Sequence, residues 1–234
     1  MSVMGLFFVF IASMSVLWLW RQGVMSEDWL EEGDVANYSG SARSSPSAAK
    51  VGLGVFLAVA GCLFSLLTAA FFMRMASPDW QAPPMSSILW FNTLALVASS
   101  ATIQTAQFAA RRGDRDRIGP WLAASGAFAL VFLLGQLWAW RELIDAGAYA
   151  SGNPANAFFY LLTGAHGLHL IGGLVALART IRRAWRDRQD AGLATSVELC
   201  AIYWHFLLFV WLLLFMMLTG KADALGAICR RVLA

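Results

Sequence analysis

The sequence predicts an all-α membrane protein with six transmembrane helices. Of its 234 residues, 59% are apolar and only 13% are charged, a balance too apolar for a water-soluble domain of this size. The charges lie almost entirely between six uncharged stretches, because an ion inside the bilayer is costly. Each stretch has about 18 to 26 residues, and about 20 helical residues cross the hydrocarbon core. The stretches are Val3–Trp20, Val51–Met73, Met85–Ala110, Ile118–Trp140, Ala155–Ala178 and Leu199–Thr219.

Four segments follow along the chain. Residues 1–20 are predicted to form an N-terminal transmembrane helix rather than a signal peptide, since they lack a basic start and a small-residue cleavage site. Residues 21–50 begin with an acidic run and end rich in Ser, Gly and Ala, a composition typical of a flexible polar linker. Residues 51–220 are predicted to form a five-helix bundle. Residues 221–234 form a short C-terminal tail.

Two arginine-rich loops predict the orientation in the membrane. Arg111, Arg112, Arg115 and Arg117 crowd one loop, and Arg179, Arg182, Arg183, Arg186 and Arg188 crowd another two spans later. The positive-inside rule places both loops in the cytoplasm, so six spans put both termini in the periplasm. The loops also explain the net charge of +3, and no nucleic-acid partner is expected.

Small and polar residues are expected to hold the helices together. Gly164 and Gly167 on the fifth span are interpreted as sites of close helix packing. The third span carries Asn92, Thr93, Ser99, Ser100, Thr102, Gln104, Thr105 and Gln107. We expect these groups to hydrogen-bond to neighbouring helices, with a water-containing cleft as the alternative.

No Asp, Glu, Lys or Arg lies clearly inside the six stretches, which disfavours an autonomous pump or ion-coupled transporter. The ionisable candidates are His166, His169 and His205. Counted at 1.5 Å per residue, His169 and His205 lie about 14 and about 9 Å inside their spans, so a bridging haem is conceivable. No Cys-x-x-Cys or His-x-x-x-His pattern and no soluble-enzyme motif is present, so no metal site or catalytic residue is predicted.

Specific motifs resemble the cytochrome c oxidase subunit III family. The segment Phe158–Gly173 (FFYLLTGAHGLHLIGG) resembles its sixth-helix signature, and Tyr203–Phe206 (YWHF) with Val210-Trp211 resembles its last helix. Weaker matches agree in order along the chain. Val55–Ala70 resembles that family's helix III, Pro83-Pro84 followed by LWFNT (Leu89–Thr93) resembles helix IV, and Gly135-Gln136 resembles helix V. The resemblance covers roughly Val51 to Thr219. It implies helices III–VII of that family plus one N-terminal helix, where family members usually have seven helices.

Three positions depart from the family pattern in the same direction. Ala60, Ala139 and Leu208 stand where the family often has acidic residues. A proton-buffering role of those carboxylates therefore does not carry over. The departures indicate a divergent bacterial branch of the family.

The resemblance implies a non-catalytic subunit of a haem-copper terminal oxidase in the bacterial cytoplasmic membrane, acting in aerobic respiratory electron transport. It would stabilise subunit I, contact subunit II and bind phospholipid at the interface, with haem and copper in the partner subunits and none in this chain. Family members have an arginine after the sixth-helix signature that binds a lipid phosphate, and here it corresponds to Arg183, beside Arg182. The alternative is that these residues are solvated loop arginines. The expected lipid contacts are Arg182, Arg183, His166, His169, Trp204 and His205, and the expected interface or structural residues are Glu198, Gln136, Asn92, Gly164 and Gly167. Glu198 would pair with a loop arginine or cap the last helix.

Three alternatives remain open at this point. An accessory subunit of a nitric oxide reductase would show a similar pattern. A small b-type cytochrome would bind haem through His169 and His205. A lipid or small-molecule transporter would use the polar third span.

Overall fold

The computed structural model describes residues 48–75, 77–81, 87–186 and 192–219. They form five α-helices, which confirms the all-helical prediction for this part of the chain. The helices are α1 (Ala48–Met75), α2 (Ile88–Arg112), α3 (Arg115–Asp145), α4 (Pro154–Arg186) and α5 (Leu193–Leu218). The predicted first span, most of the linker, the C-terminal tail and both termini lie outside the described residues.

Four of these helices, α1, α3, α4 and α5, are long and apolar enough to cross a membrane. Helix α2 has 25 residues, which is sufficient length, but its polar side chains keep it out of this group. Four of these five helices are longer than the predicted spans. For example, α3 begins at Arg115 instead of Ile118, and α4 continues to Arg186 instead of Ala178. Hydropathy marks the segment that crosses the hydrocarbon core, whereas the helices continue past it into their arginine-rich ends.

The chain divides into two compact units, Met1–Ser65 and Leu66–Ala234. In the second unit, α2, α3, α4 and α5 form a ring in which α2 packs on α3, α3 on α4, α4 on α5 and α5 on α2. Each helix in the ring therefore has two neighbours. Helices α2 and α4 lie on opposite sides of the ring.

Glycine-centred turns set the antiparallel order of the ring. Gly113 after α2 has φ +74° and Gly147 after α3 has φ +76°, the left-handed conformation that glycine adopts without steric cost. The N–H of Asp114 donates to the carbonyl of Ala109 at 3.0 Å, which satisfies an orphan carbonyl at the end of α2. At the start of α4, the N–H of Ala155 donates to Asn153 Oδ1 at 3.1 Å, a side-chain cap with proline at the first helical position.

The antiparallel order places the described basic residues of both arginine-rich loops at one end of the ring. Helix α2 ends where α3 begins, and α4 returns to that end before α5 leaves it. The indole of Trp185, near the end of α4, occupies the space where a Cβ on Gly119 of α3 would stand. The arginines at this end are all exposed: Arg111, Arg112, Arg115, Arg117, Arg179, Arg182, Arg183 and Arg186.

Helices α4 and α5 approach closely at Gly173. A Cβ there would lie 2.6 Å from Cε1 of Tyr203 and 3.1 Å from the indole of Trp204. Neither ring can move aside easily, because the Tyr203 hydroxyl donates to the carbonyl of His169 at 2.7 Å and Trp204 is 1% exposed. The neighbouring Gly172 has nothing within 4 Å of its Cβ position.

We therefore expect Gly173→Ala to destabilise the chain relative to Gly172→Ala by about 1 to 3 kcal/mol, the usual cost of overpacking. Both variants gain the same helix propensity, so their difference isolates the steric term. Unfolding of the full chain in mixed detergent and SDS measures it. Equal stability of the two variants would contradict the close approach of α4 and α5.

Candidate functional site

A buried hydrogen-bond junction joins α2, α3 and α5. The Ser99 hydroxyl donates to the carbonyl of Ser125 at 2.7 Å, and the Ser125 hydroxyl donates to the carbonyl of Ser99 at 2.9 Å. The indole N–H of Trp204 donates to Ser99 Oγ at 2.7 Å. Ser99 and Ser125 are 0% exposed. One hydroxyl thus connects three helices.

A second junction lies two helical turns further along α5. The indole N–H of Trp211 donates to Thr93 Oγ1 at 3.0 Å, and the Thr93 hydroxyl donates to the carbonyl of Leu89 at 2.8 Å. Trp204 and Trp211 are seven residues apart, which puts both on one face of α5. Both tryptophans therefore direct their N–H groups to hydroxyls of α2.

His166 lies at the centre of the ring, not at its surface. Its ring centroid is 5.3 Å from that of Trp211 and 5.7 Å from that of Phe132, and the Phe132 and Trp211 centroids are 4.7 Å apart in an edge-to-face arrangement. His166 is 0% exposed. His166 and Trp204 were both predicted to contact lipid. Neighbouring helices surround both side chains, so this prediction does not fit their burial.

Asn92 and Gln136 form a side-chain contact between α2 and α3. Asn92 Nδ2 donates to Gln136 Oε1 at 3.4 Å, and both side chains are buried. The carbonyl oxygen of Asn92 occupies the position where a Cβ on Gly135 would stand. The Asn92 oxygen therefore lies in the direction of a Cα–H bond of Gly135 and can accept a weak C–H···O hydrogen bond from it.

His205 lies on the outer surface of α5 with both ring nitrogens in hydrogen bonds to α2. Nε2 donates to Gln104 Oε1 at 2.8 Å, so the neutral ring accepts the Ser100 hydroxyl at Nδ1, at 2.6 Å. On α4, His169 is partly exposed, and its Nδ1 donates to the carbonyl of Ala165 at 2.8 Å. Coordination of haem iron by His205 would therefore break an interhelical hydrogen bond.

These contacts bear out much of the prediction for the polar helix. Asn92, Thr93, Ser99, Ser100 and Gln104 each bond to a neighbouring helix. Thr102 and Thr105 instead donate to carbonyls of their own helix. No pattern in the sequence marked Ser125 or Thr163. Ser125 is the one Ser or Thr side chain in α3, and Thr163, which accepts the indole N–H of Trp140 at 3.0 Å, lies in an apolar stretch of α4.

The predicted lipid arginines lie at the basic end of the ring. Arg182 and Arg183 are both exposed near the end of α4. Arg183 Nη1 donates to the hydroxyl of Ser196, in the first turns of α5, at 3.2 Å. Glu198 lies in the second turn of α5, which begins at Leu193, so its carboxylate is past the first turn where a helix cap would be.

Gly164 and Gly167 have less restrictive surroundings than expected. A Cβ on Gly164 would be 3.6 Å from Trp140, and one on Gly167 would be 3.7 Å from Leu133. These are ordinary van der Waals distances on the face of α4 toward α3. Within the described residues, no group of three or more His, Cys, Asp and Glu side chains is placed to hold a metal ion.

Comparison with known proteins gives a consistent result. The family described as "Cytochrome c oxidase subunit III" matches residues 1–220. A "Probable cytochrome c oxidase subunit 3" of Mycobacterium tuberculosis is 35% identical over 175 residues, which cover 73% of this chain and 86% of the relative. The "Cytochrome c oxidase subunit 3" of Synechocystis sp. is 30% identical over 184 residues, 74% of this chain and 75% of the relative. The corresponding protein of Thermostichus vulcanus is 31% identical over 185 residues, 76% of this chain and 89% of the relative.

The junction at Ser99 is expected to be a main source of stability. Ser99→Ala removes both hydrogen bonds of its hydroxyl and leaves the Trp204 N–H buried without an acceptor, so we expect a loss of about 1 to 3 kcal/mol. Thr102→Ala is the matched control, because its hydroxyl bonds only within α2. Unfolding of the two full-length variants in detergent measures the difference. A Ser99→Ala variant as stable as the control would show that the junction contributes little.

Proposed function

Because the chain belongs to the cytochrome c oxidase subunit III family, we propose that it is a non-catalytic subunit of a haem-copper terminal oxidase. The relatives named above support the subunit III role, and the long apolar helices make the chain a multi-pass membrane protein. In the proposed role it packs on subunit I, stabilises it together with subunit II, and holds phospholipid at the interface. Its basic helix ends face the cytoplasm.

One structural observation supports a packing role above all others: the motif side chains direct their polar atoms to this chain's own helices. In the YWHF motif, Tyr203, Trp204 and His205 all form hydrogen bonds to other helices. In the sixth-helix signature, His166 is enclosed by aromatic rings. Side chains used in this way hold a rigid shape, and a rigid helical surface is what a partner subunit can pack against.

Purification of the native complex through a tag on this chain tests the proposal. We expect subunits I and II to co-purify in mild detergent, with a haem spectrum from the partners and consumption of oxygen. Consumption of nitric oxide alone would instead identify an accessory subunit of a nitric oxide reductase. A b-type haem band in the isolated chain that disappears in His205→Ala would identify a small cytochrome and overturn the proposal.

The lipid role is proposed for Arg182 and Arg183. A planar guanidinium makes two parallel hydrogen bonds to a phosphate, and the Ser196 contact fixes Arg183 at the junction of α4 and α5. Both arginines lie at the end of the ring that is proposed to face the cytoplasmic head groups. The exposed part of His169 lies farther along the same helix.

We expect the double variant Arg182→Gln and Arg183→Gln to lose about one tightly bound phospholipid per complex, because a neutral amide lacks the paired charge–phosphate bonds. Arg179→Gln is the matched control, as Arg179 is an exposed arginine on the same helix. Native mass spectrometry of the purified complex counts the bound lipids. Equal lipid content in the two variants would contradict a specific site at this pair.

A further inference from the structure

A partly polar surface faces outward on α2 beside α5. It consists of Ala98, Ala101, Gln104 and Thr105 of α2 with His205 of α5, and we call it the α2–α5 face. Steps of three and four residues put the α2 members on one stripe of the helix. Ala101, Thr105 and His205 are exposed, and Ala98 and Gln104 are partly exposed.

The α2–α5 face lies at the depth of the hydrocarbon core. Gln104 precedes Arg112, the last residue of α2, by eight residues, or about 12 Å along the helix. His205 lies near the midpoint of α5. The arginines at the helix ends mark the head-group level, so lipid ester groups lie too near the bilayer surface to reach Gln104.

Gln104 has hydrogen-bonding capacity that the described residues do not use. Its Oε1 accepts from His205, but its amide N–H groups donate to no atom of the residues that the structure describes. A hydrocarbon chain cannot accept these hydrogen bonds, and an unmade hydrogen bond in lipid is unfavourable. We therefore expect an acceptor for these N–H groups from outside the described residues.

We propose that a transmembrane helix of another subunit of the oxidase complex packs on the α2–α5 face, with an oxygen acceptor opposite Gln104. Ala98 and Ala101 allow the backbone of such a helix to approach closely, as small residues do at membrane helix interfaces. The Thr105 hydroxyl, which donates to the carbonyl of Thr102 at 2.6 Å, can still accept a hydrogen bond from it. The inference rests on the proposed function and names the surface through which it operates.

A photo-crosslinking residue in the assembled complex tests the inference. In the test variant, benzoylphenylalanine replaces Phe108, which is 48% exposed and lies one helical turn from Gln104 on the same stripe of α2. In the matched control, it replaces Leu168, which is 68% exposed on α4, on the opposite side of the ring. We expect position 108 to crosslink to a partner subunit about tenfold more than position 168.

A second experiment uses two variants with a bulky side chain, Ala101→Trp on the α2–α5 face and Leu168→Trp as its control. Co-purification measures how much partner subunit each variant retains. Partner recovery is expected to fall about tenfold only for Ala101→Trp, a factor that corresponds to 1.4 kcal/mol.

The possible results separate the two proposals. If partner subunits co-purify with the unmodified chain but position 108 crosslinks only to lipid, to this chain or no more than position 168, the α2–α5 face is not the interface and the subunit role stands. If Ala101→Trp retains its partners as well as Leu168→Trp does, the interface is likewise overturned. If no oxidase subunit co-purifies with the unmodified chain, the subunit role itself fails.

Discussion

The need to satisfy polar groups inside a membrane organises the described part of this protein. Lipid offers neither hydrogen-bond partners nor a hydrophobic force between helices. Helix α2 carries the most polar side chains, and it is the helix to which the two buried tryptophans of α5 donate. The position of α2 between α3 and α5 in the ring follows from where its hydroxyls and amides find partners.

This constraint also explains why the sequence motifs are where they are. The YWHF motif and the aromatic residue two turns later give α5 a face of N–H and O–H donors, and α2 and α4 provide the acceptors. Gly173 lets α4 approach closely enough for the Tyr203 hydroxyl to reach the His169 carbonyl. Residues that identify the family thus form the contacts that fix the helices relative to one another.

The sequence predicted the helices and the bonding role of α2 well, because hydropathy and polarity are local properties of a segment. It predicted less well which way each side chain points. His166 and Trp204 were expected to contact lipid and are enclosed instead, since rotation of a helix about its axis is decided by all its neighbours. For the same reason the tight glycine contacts fall at Gly119, Gly135 and Gly173 rather than at Gly164 and Gly167. Ser125 could not be predicted, because its importance comes from the position of Ser99 on another helix.

The neutral character of the buried network bears on the divergence of this chain from its family. Ala139, where the family often has a glutamate, is 0% exposed and lies one helical turn from Gln136. A carboxylate there would need a buried partner of opposite charge or a proton, since an isolated buried charge is strongly unfavourable. The neighbouring pair, Asn92 and Gln136, offers only neutral amides. Loss of the acid is therefore compatible with a core that depends on neutral hydrogen bonds and close packing, and such a core is suited to a subunit that acts through its shape.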